Sequence, residues 1–375
     1  MEPTFFVGGR RTVFGKAFKG CFKDTRPDDL LAELIGGYRY NQFSVFKPQD
    51  LIVGCAYPEG EQGYNLARTV ALGCGYEAPG CTVNRLCASS LESVAIAASR
   101  IRSGWGDCIL VAGVESMSRI PRRGANFSES EKIKSIHQHA YVPNGTTAEN
   151  VARKYPHLDR RVQEEFAARS HELADQAHTK NFYDQQIRTL GSNRDEFIRV
   201  PVDLEKMASL KPAFNENGVV TAATSSPLTD GATCGWVVSE QVAQEAGIKS
   251  GLEILDVAVA HVGPDVMGMG PVPATQEIFT RSNVNPGDLT AIEINEAFAI
   301  QVLASIEELN LPIDRVNAWG GALALGHPLG ASGLRLVITL HDRLAQTGEV
   351  GSLGLATLCV GGGQGMSILF RYVEF

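Results

Sequence analysis

No apolar run in the 375 residues is long enough to span a bilayer, which excludes a helical membrane anchor. Eight cysteines are present, at positions 21, 55, 74, 81, 87, 108, 234 and 359, but no two stand in a CxxC spacing. That absence argues against a structural zinc site, and thiols scattered through apolar runs are what a reducing compartment allows. The start, "MEPTFFVGGRRT", lacks a basic leader followed by an apolar core and a cleavage site. It reads as a first strand, and the protein is expected in the cytoplasm. A phosphate loop of the form GxxxxGK followed by Ser or Thr is missing, and no GxGxxG follows the first strand. P-loop nucleotide hydrolysis and dinucleotide binding lose their support. Excess positive charge is missing too: the net charge of −8 argues against a general nucleic-acid partner and leaves room only for a local basic site.

What is present is an alternation. "PTFFVG", "DLIVGCA", "CTVNRL" and "DCILVAGVE" are short and β-rich, and Asp28 to Tyr38 and Ala88 to Arg102 carry helical spacing. Strand and helix alternate again after about residue 250, through "LEILDVAVAHVG", "LTAIEIN", "RVNAWGGA", a helix from about Ala331 to Gln346, "GSLGLATLCV" and "QGMSILFRYV". Such alternation predicts a mostly parallel sheet covered by helices. The two ends also look like versions of one unit, with Val83-Asn84 answered by Val316-Asn317.

From about Ile120 to Phe214 the character changes. Fifteen Lys and Arg stand there against thirteen Asp and Glu, with five of the eight histidines. One helix is expected behind Asp159 as N-cap, with Val162, Phe166, Leu173 and Ala177 on one face. The segment reads either as a solvated insertion or as a part that helps bind an anion.

Four short stretches carry chemistry. Cys87 of "TVNRLCASSLESV" sits where a strand becomes a helix, near free backbone N–H groups that stabilise a thiolate and lower a thiol's pKa; free cysteines are also commonly inert core residues. His327 of "GGALALGHPLGASG" is held among five glycines before a helix, as a general base or as a structural histidine. Cys359 of "LATLCVGGGQG" stands where a buried strand breaks into three glycines whose N–H groups could hold an oxyanion, or simply make a turn. Asn295 and Glu296 of "EINEAFA" end an apolar strand, with Asn295 as a plain N-cap in the alternative.

In this order and at these separations the four stretches resemble the thiolases, the acetyl-CoA C-acyltransferases. "RRTVFGKAFKG", "AGVESMSR", "GTTAENVA", "PAFNENGVVTAATSSPLTDGA" and "MGMGPVPA" extend the resemblance over nearly the whole chain. It implies a duplicated α/β fold in five layers, α-β-α-β-α. Residues 1–119 with 215–248 would form the N-terminal half, 120–214 a CoA-binding loop domain and 249–375 the C-terminal half. It further implies Cys87 as the acyl-carrying nucleophile, His327 as general base and Cys359 as proton donor and acceptor. Asn295 would hold a water that forms one oxyanion hole with His327, and the N–H groups of Cys87 and Gly361 would form the other. Ser226, Phe214, Ala297 and Phe298 would line the path of CoA.

The activity implied is cleavage of a 3-ketoacyl-CoA by CoA, in fatty acid β-oxidation or a related breakdown, without metal or organic cofactor. CoA and acyl-CoA are then substrates, and the chain a homodimer or homotetramer that could join a hydratase-dehydrogenase subunit. The alternative is biosynthetic condensation of two acetyl-CoA, which would use the same residues. Pro143-Asn144 stands where acetoacetyl-CoA-forming members often carry His-Met, and this favours cleavage of longer chains.

Overall fold

The computed structural model describes residues 2–375, whose strands are β1 (Thr4–Arg11), β2 (Gly15–Lys16), β3 (Asp50–Gly54), β4 (Gly80–Val83), β5 (Cys108–Ser116), β6 (Thr229–Ser239), β7 (Ser250–His261), β8 (Leu289–Ile294), β9 (Leu353–Val360) and β10 (Gln364–Glu374). Around them lie helices α1 (Pro27–Gly36), α2 (Leu66–Gly73), α3 (Ser89–Arg102), α4 (Glu131–Ile136), α5 (Asn144–Lys154), α6 (Arg160–Thr179), α7 (Leu204–Ala208), α8 (Glu240–Glu245), α9 (Pro271–Ser282), α10 (Ala299–Glu308), α11 (Ala322–Leu325) and α12 (Leu329–Thr347). No helix among the described residues is long and apolar enough to cross a membrane.

The strands run in the order β4-β3-β5-β6-β1-β7-β10-β9-β8, with β2 beside β6. The centre is the weakest join: β1 and β7 share only the pairs Phe5↔Glu253 and Phe6↔Leu252. Outward from it the two sides mirror one another. β6, β5, β3 and β4 on one side answer β10, β9, β8 and the single bridge Ile292↔Val316 on the other. α3 precedes β5 as α12 precedes β9, so the faint Val-Asn repeat marks a duplicated unit.

Successive side chains on a strand point to opposite faces, and here both faces are covered. On β3 and β5, Ile52, Ile109 and Val111 pack with Leu91, Val94 and Ile101 of α3 and Leu334, Val337 and Ile338 of α12. Their neighbours Leu51, Val53, Leu110 and Ala112 face Leu31, Leu34, Leu66 and Val70 of α1 and α2. In the second half Ala356, Leu358, Ile368 and Phe370 join the α3–α12 layer, and Ile292, Ile294, Leu355 and Leu369 pack on α9 and α10. The layers are therefore α, β, α, β, α, as expected. Every residue of α12 from Leu329 to Leu340 is buried, so this stretch of the helix is enclosed on all sides, with its one charge, Arg335, paired to Glu293 at 3.1 Å. Gly333 lets it approach α3, because a Cβ there would lie 2.7 Å from Leu91 Cβ.

Between Ser116 and Thr229 the described chain adds no strand to the sheet and contributes α4 to α7. Asp159 caps α6 as anticipated, accepting from the Val162 N–H at 3.0 Å. Two expectations fail: the sheet is mixed rather than mostly parallel, because only β3–β4, β3–β5 and β8–β9 pair in parallel and the central strands β5, β6, β1, β7, β10 and β9 pair antiparallel, and "RVNAWGGA" forms no strand beyond its bridge. Asn317 turns into the left-handed region (φ +47°), and its side-chain amide replaces the ladder, accepting from the Ile294 N–H at 2.9 Å and donating to Ile294 O at 2.8 Å.

Candidate active site

Cys87 lies in a 3-10 turn, Leu86–Ala88, between β4 and α3. The turn is sharp. Leu86 has φ +45°, a costly conformation for a branched side chain, and hydrogen bonds hold it there. Asn84 Oδ1 accepts from the Leu86 N–H at 2.7 Å, and Ser89 Oγ accepts from the Arg85 N–H at 3.0 Å while donating to Leu86 O at 2.6 Å.

His327 sits on the loop between α11 and α12, entered through Gly326 at φ +108°, where a side chain would also meet Thr229. Thr229 Oγ1 accepts from the His327 N–H at 2.9 Å and donates to Pro227 O at 2.8 Å. Ser332 Oγ stands 2.6 Å from Nδ1 and donates to Pro328 O at 3.1 Å, so it accepts from an Nδ1–H. The Nε2 lone pair is thereby left free to take a proton.

Asn295 Nδ2 is 3.4 Å from Nε2 and 3.5 Å from Nδ1, aimed along neither lone pair, and Asn295 Oδ1 is buried without a protein partner. Asn295 is not an N-cap: α10 starts at Ala299, with Phe298 at the cap position. The next residue, Glu296, fixes the loop. Its carboxylate accepts from Ser170 Oγ at 2.7 Å, Asn317 Nδ2 at 2.9 Å and the Leu323 N–H at 3.1 Å, and Ser170 Oγ accepts from the Gly321 N–H at 3.0 Å. α6, the end of β8 and the histidine loop are thus joined at one buried carboxylate.

Cys87, His327, Cys359 and Gly361 line one cavity of about 230 Å³ together with Ser226, Phe214, Ala297 and Phe298. Asn295 is not in its wall but adjoins His327, which is. The Ser226 N–H donates to Ala297 O at 2.9 Å, and the Phe214 ring meets Phe298 edge-on at 5.8 Å. Residues brought from four distant parts of the chain therefore share one space. Ser225 and Pro227 also line a second cavity of about 280 Å³ that carries Arg199 and Lys206.

The electrostatics correct one expectation. Burial pushes the Cys87 thiol up to about 11, and the Gly361 amide pulls the other way without offsetting it. The turn before α3 therefore does not by itself supply a thiolate, because desolvation of the charged form outweighs nearby N–H groups. The Gly361 N–H is the amide nearest in effect to the Cys87 thiol, and no hydrogen bond joins that thiol to His327 among the described residues. Burial, then the charge of Arg335, holds His327 down to about 3, so the ring rests neutral. Burial and the neighbouring Cys87 push Cys359 well above the usual thiol range. Burial thus favours the uncharged forms of all three groups, two thiols and a neutral imidazole.

Some supporting residues escaped the sequence reading. Glu115 of β5 accepts from the Ala56 N–H at 2.8 Å, Gln62 Nε2 at 2.8 Å and the Gly330 N–H at 2.9 Å, tying the loop after β3 to the start of α12. A carboxylate inside the apolar run "CILVAGVES" was its available signal. Ser332 and Thr229, which set the histidine, had none. Among the described residues no cluster of three or more His, Cys, Asp or Glu is arranged to hold a metal ion.

Known proteins resemble this chain over nearly its whole length. The family model "Thiolase, N-terminal domain" matches residues 4–241, and "Thiolase, C-terminal domain" matches residues 248–372. The chain is 36% identical over 402 residues to the 3-ketoacyl-CoA thiolase of Bacillus subtilis (strain 168), covering 99% of this chain and 100% of that protein. It is 38% identical over 388 residues to the 3-ketoacyl-CoA thiolase of Saccharophagus degradans, covering 97% and 96%. To that of Psychrobacter arcticus it is 39% identical over 390 residues, covering 99% and 98%.

Proposed function

The chain belongs to the thiolase family, and on that premise we propose how its residues carry out the CoA-dependent cleavage of a 3-ketoacyl-CoA to acetyl-CoA and a shortened acyl-CoA. It is an acyltransferase of the acetyl-CoA C-acyltransferase type. In this reading the Cys87 sulfur attacks the 3-keto carbonyl as its proton passes to His327 Nε2. The bond between carbons 2 and 3 then breaks, and acetyl-CoA leaves as an enolate. His327 and a water held by Asn295 Oδ1 stabilise the enolate oxygen, while Cys359 protonates its carbon. The acyl group stays on Cys87 as a thioester, its oxygen facing the N–H groups of Cys87 and Gly361. Free CoA attacks that thioester, giving its thiol proton to the Cys359 thiolate, and the Cys87 sulfur leaves as it takes its proton back from His327. Thioester is exchanged for thioester, so the chemistry asks for no metal or organic cofactor, and CoA enters as substrate.

Ser226, Phe214, Ala297 and Phe298 are assigned to the pantetheine arm. The adjoining cavity with Arg199 and Lys206 is assigned to the phosphates. We place the protein in the cytoplasm as a homodimer or homotetramer, able to serve beside a hydratase-dehydrogenase subunit in β-oxidation or a related breakdown. The observation that supports the catalytic assignment most is the meeting of Cys87, His327, Cys359 and Gly361 in one cavity. Thiolysis of 3-ketohexanoyl-CoA by the purified chain tests it: the wild type should consume the substrate only when CoA is added, and Cys87→Ser should not. Turnover retained in Cys87→Ser would refute the assignment.

A further inference from the structure

The chain carries a net charge of −8, yet the wall of the catalytic cavity contains two arginines and no carboxylate. Arg123 is engaged: its Nη2 donates to Tyr141 O at 2.7 Å, its Nη1 lies 3.4 Å from Glu129, and its guanidinium carbon is 5.0 Å from the centre of the Phe127 ring. Arg122 is not. Among the described residues it makes neither an ion pair nor a hydrogen bond, although its charge acts on both Cys87 and Tyr57, which share the wall with it.

Arg122 is exposed, as a solvated surface arginine is, but it also lines the mouth-side wall of the cavity that holds the reacting thiol. CoA brings negative charge only at its phosphates, which a long neutral pantetheine arm separates from the sulfur. The cavity carrying Arg199 and Lys206 adjoins the first through Ser225 and Pro227. Arg122 belongs to other parts of the chain: it follows β5, and its segment rests on the loop after β3, where Glu59 accepts from the Ala125 N–H at 2.7 Å. With the phosphates assigned to the Arg199 side, the charge left to meet Arg122 is one on the acyl group itself.

We propose that Arg122 is a specificity-determining residue that receives a terminal carboxylate, so that the preferred substrate is a dicarboxylic 3-ketoacyl-CoA with one end free. Guanidinium and carboxylate form paired, charge-assisted hydrogen bonds, and the planar fork of Arg suits them better than Lys does. The proposal rests on the thiolase reading above and narrows its substrate.

The test compares kcat/KM for thiolysis of two six-carbon substrates by the full-length protein: 3-ketohexanoyl-CoA and the mono-CoA thioester of 3-ketohexanedioic acid. The wild type should favour the carboxylate-bearing substrate by about tenfold or more, as a site built for a polar group does. Arg122→Met should cut that ratio at least about tenfold, and Arg122→Lys should retain part of it. A wild-type preference for the uncharged substrate would overturn the proposal without recourse to any variant. Equal losses on both substrates in Arg122→Met would also overturn it, by assigning Arg122 to CoA. If neither substrate is cleaved by the wild type, the cleavage reading fails and this proposal with it.

Discussion

Removing the Ser332 hydroxyl isolates the device that makes His327 a base. Ser332 Oγ is 2.6 Å from Nδ1 and has its own proton committed to Pro328 O. Only the tautomer with hydrogen on Nδ1 satisfies both bonds, and only that tautomer leaves Nε2 free. A hydrogen bond of this kind is worth about 0.5–1.5 kcal/mol, and a buried N–H left without a partner costs about 1–3 kcal/mol. The two overlap, and the larger sets the shift in the tautomer balance at roughly 1–3 kcal/mol against the base-competent form, which is about a five- to 150-fold loss in its population. Ser332→Ala should therefore lower kcat for thiolysis by that factor while KM for the CoA thioester changes by less than about threefold. Nitrogen-15 spectra of histidine-labelled protein supply a second readout: the His327 signals should move away from the Nδ1–H pattern. The reasoning is wrong if kcat stays within twofold of wild type, or if kcat falls while the tautomer signals stay in place.

Cys359→Ser keeps the size of the side chain but makes it a far weaker acid, so thiolysis should fall by about 10²–10⁴-fold; a fully active variant would remove Cys359 from the proton path. In Arg11→Met the buried partner Asp195, held at 2.8 Å, loses its counter-charge, and stability should drop by roughly 3–5 kcal/mol in denaturant titration. Adding Asp195→Asn should recover part of it, and no recovery would contradict the pairing account. His171 is held down to about 4 by burial and by the charge of Arg199. Its folded-state pKa lies below the ordinary 6.5, so its neutral ring supports folding above pH 6.5, and that support is lost as pH falls from about 6.5 towards 4. His171→Asn should remove up to about 3 kcal/mol of the acid-side decline. Melts that fall in parallel for both proteins across that window would contradict the assignment.

The duplicated order of strands was legible because both halves carry the same apolar alternation, and Val83-Asn84 and Val316-Asn317 mark its matching points. The second of these misled in detail. Asn317 occupies a strand position in sequence but supplies its pairing through a side chain, which periodicity does not register. Cys87, His327 and Cys359 were visible through the glycine-rich and junction sequences around them. The acidity of Cys87 was not, because burial is set by the packing of α3, α12 and both halves of the sheet, and no local stretch encodes it. Ser332 had no signal for a related reason. Its role comes from standing five residues after His327 on α12, where an ordinary buried serine would look the same.

The central claim is that the acyl group passes through Cys87. Incubating the protein with 3-ketohexanoyl-CoA in the absence of free CoA, quenching in acid and mapping peptides by mass spectrometry measures this directly. The butanoyl group should appear on the peptide containing Cys87, should be absent from Cys87→Ser, and should disappear from the wild type when CoA is added. A butanoyl group found on Cys359, or turnover with no acylated cysteine at any time, would contradict the account.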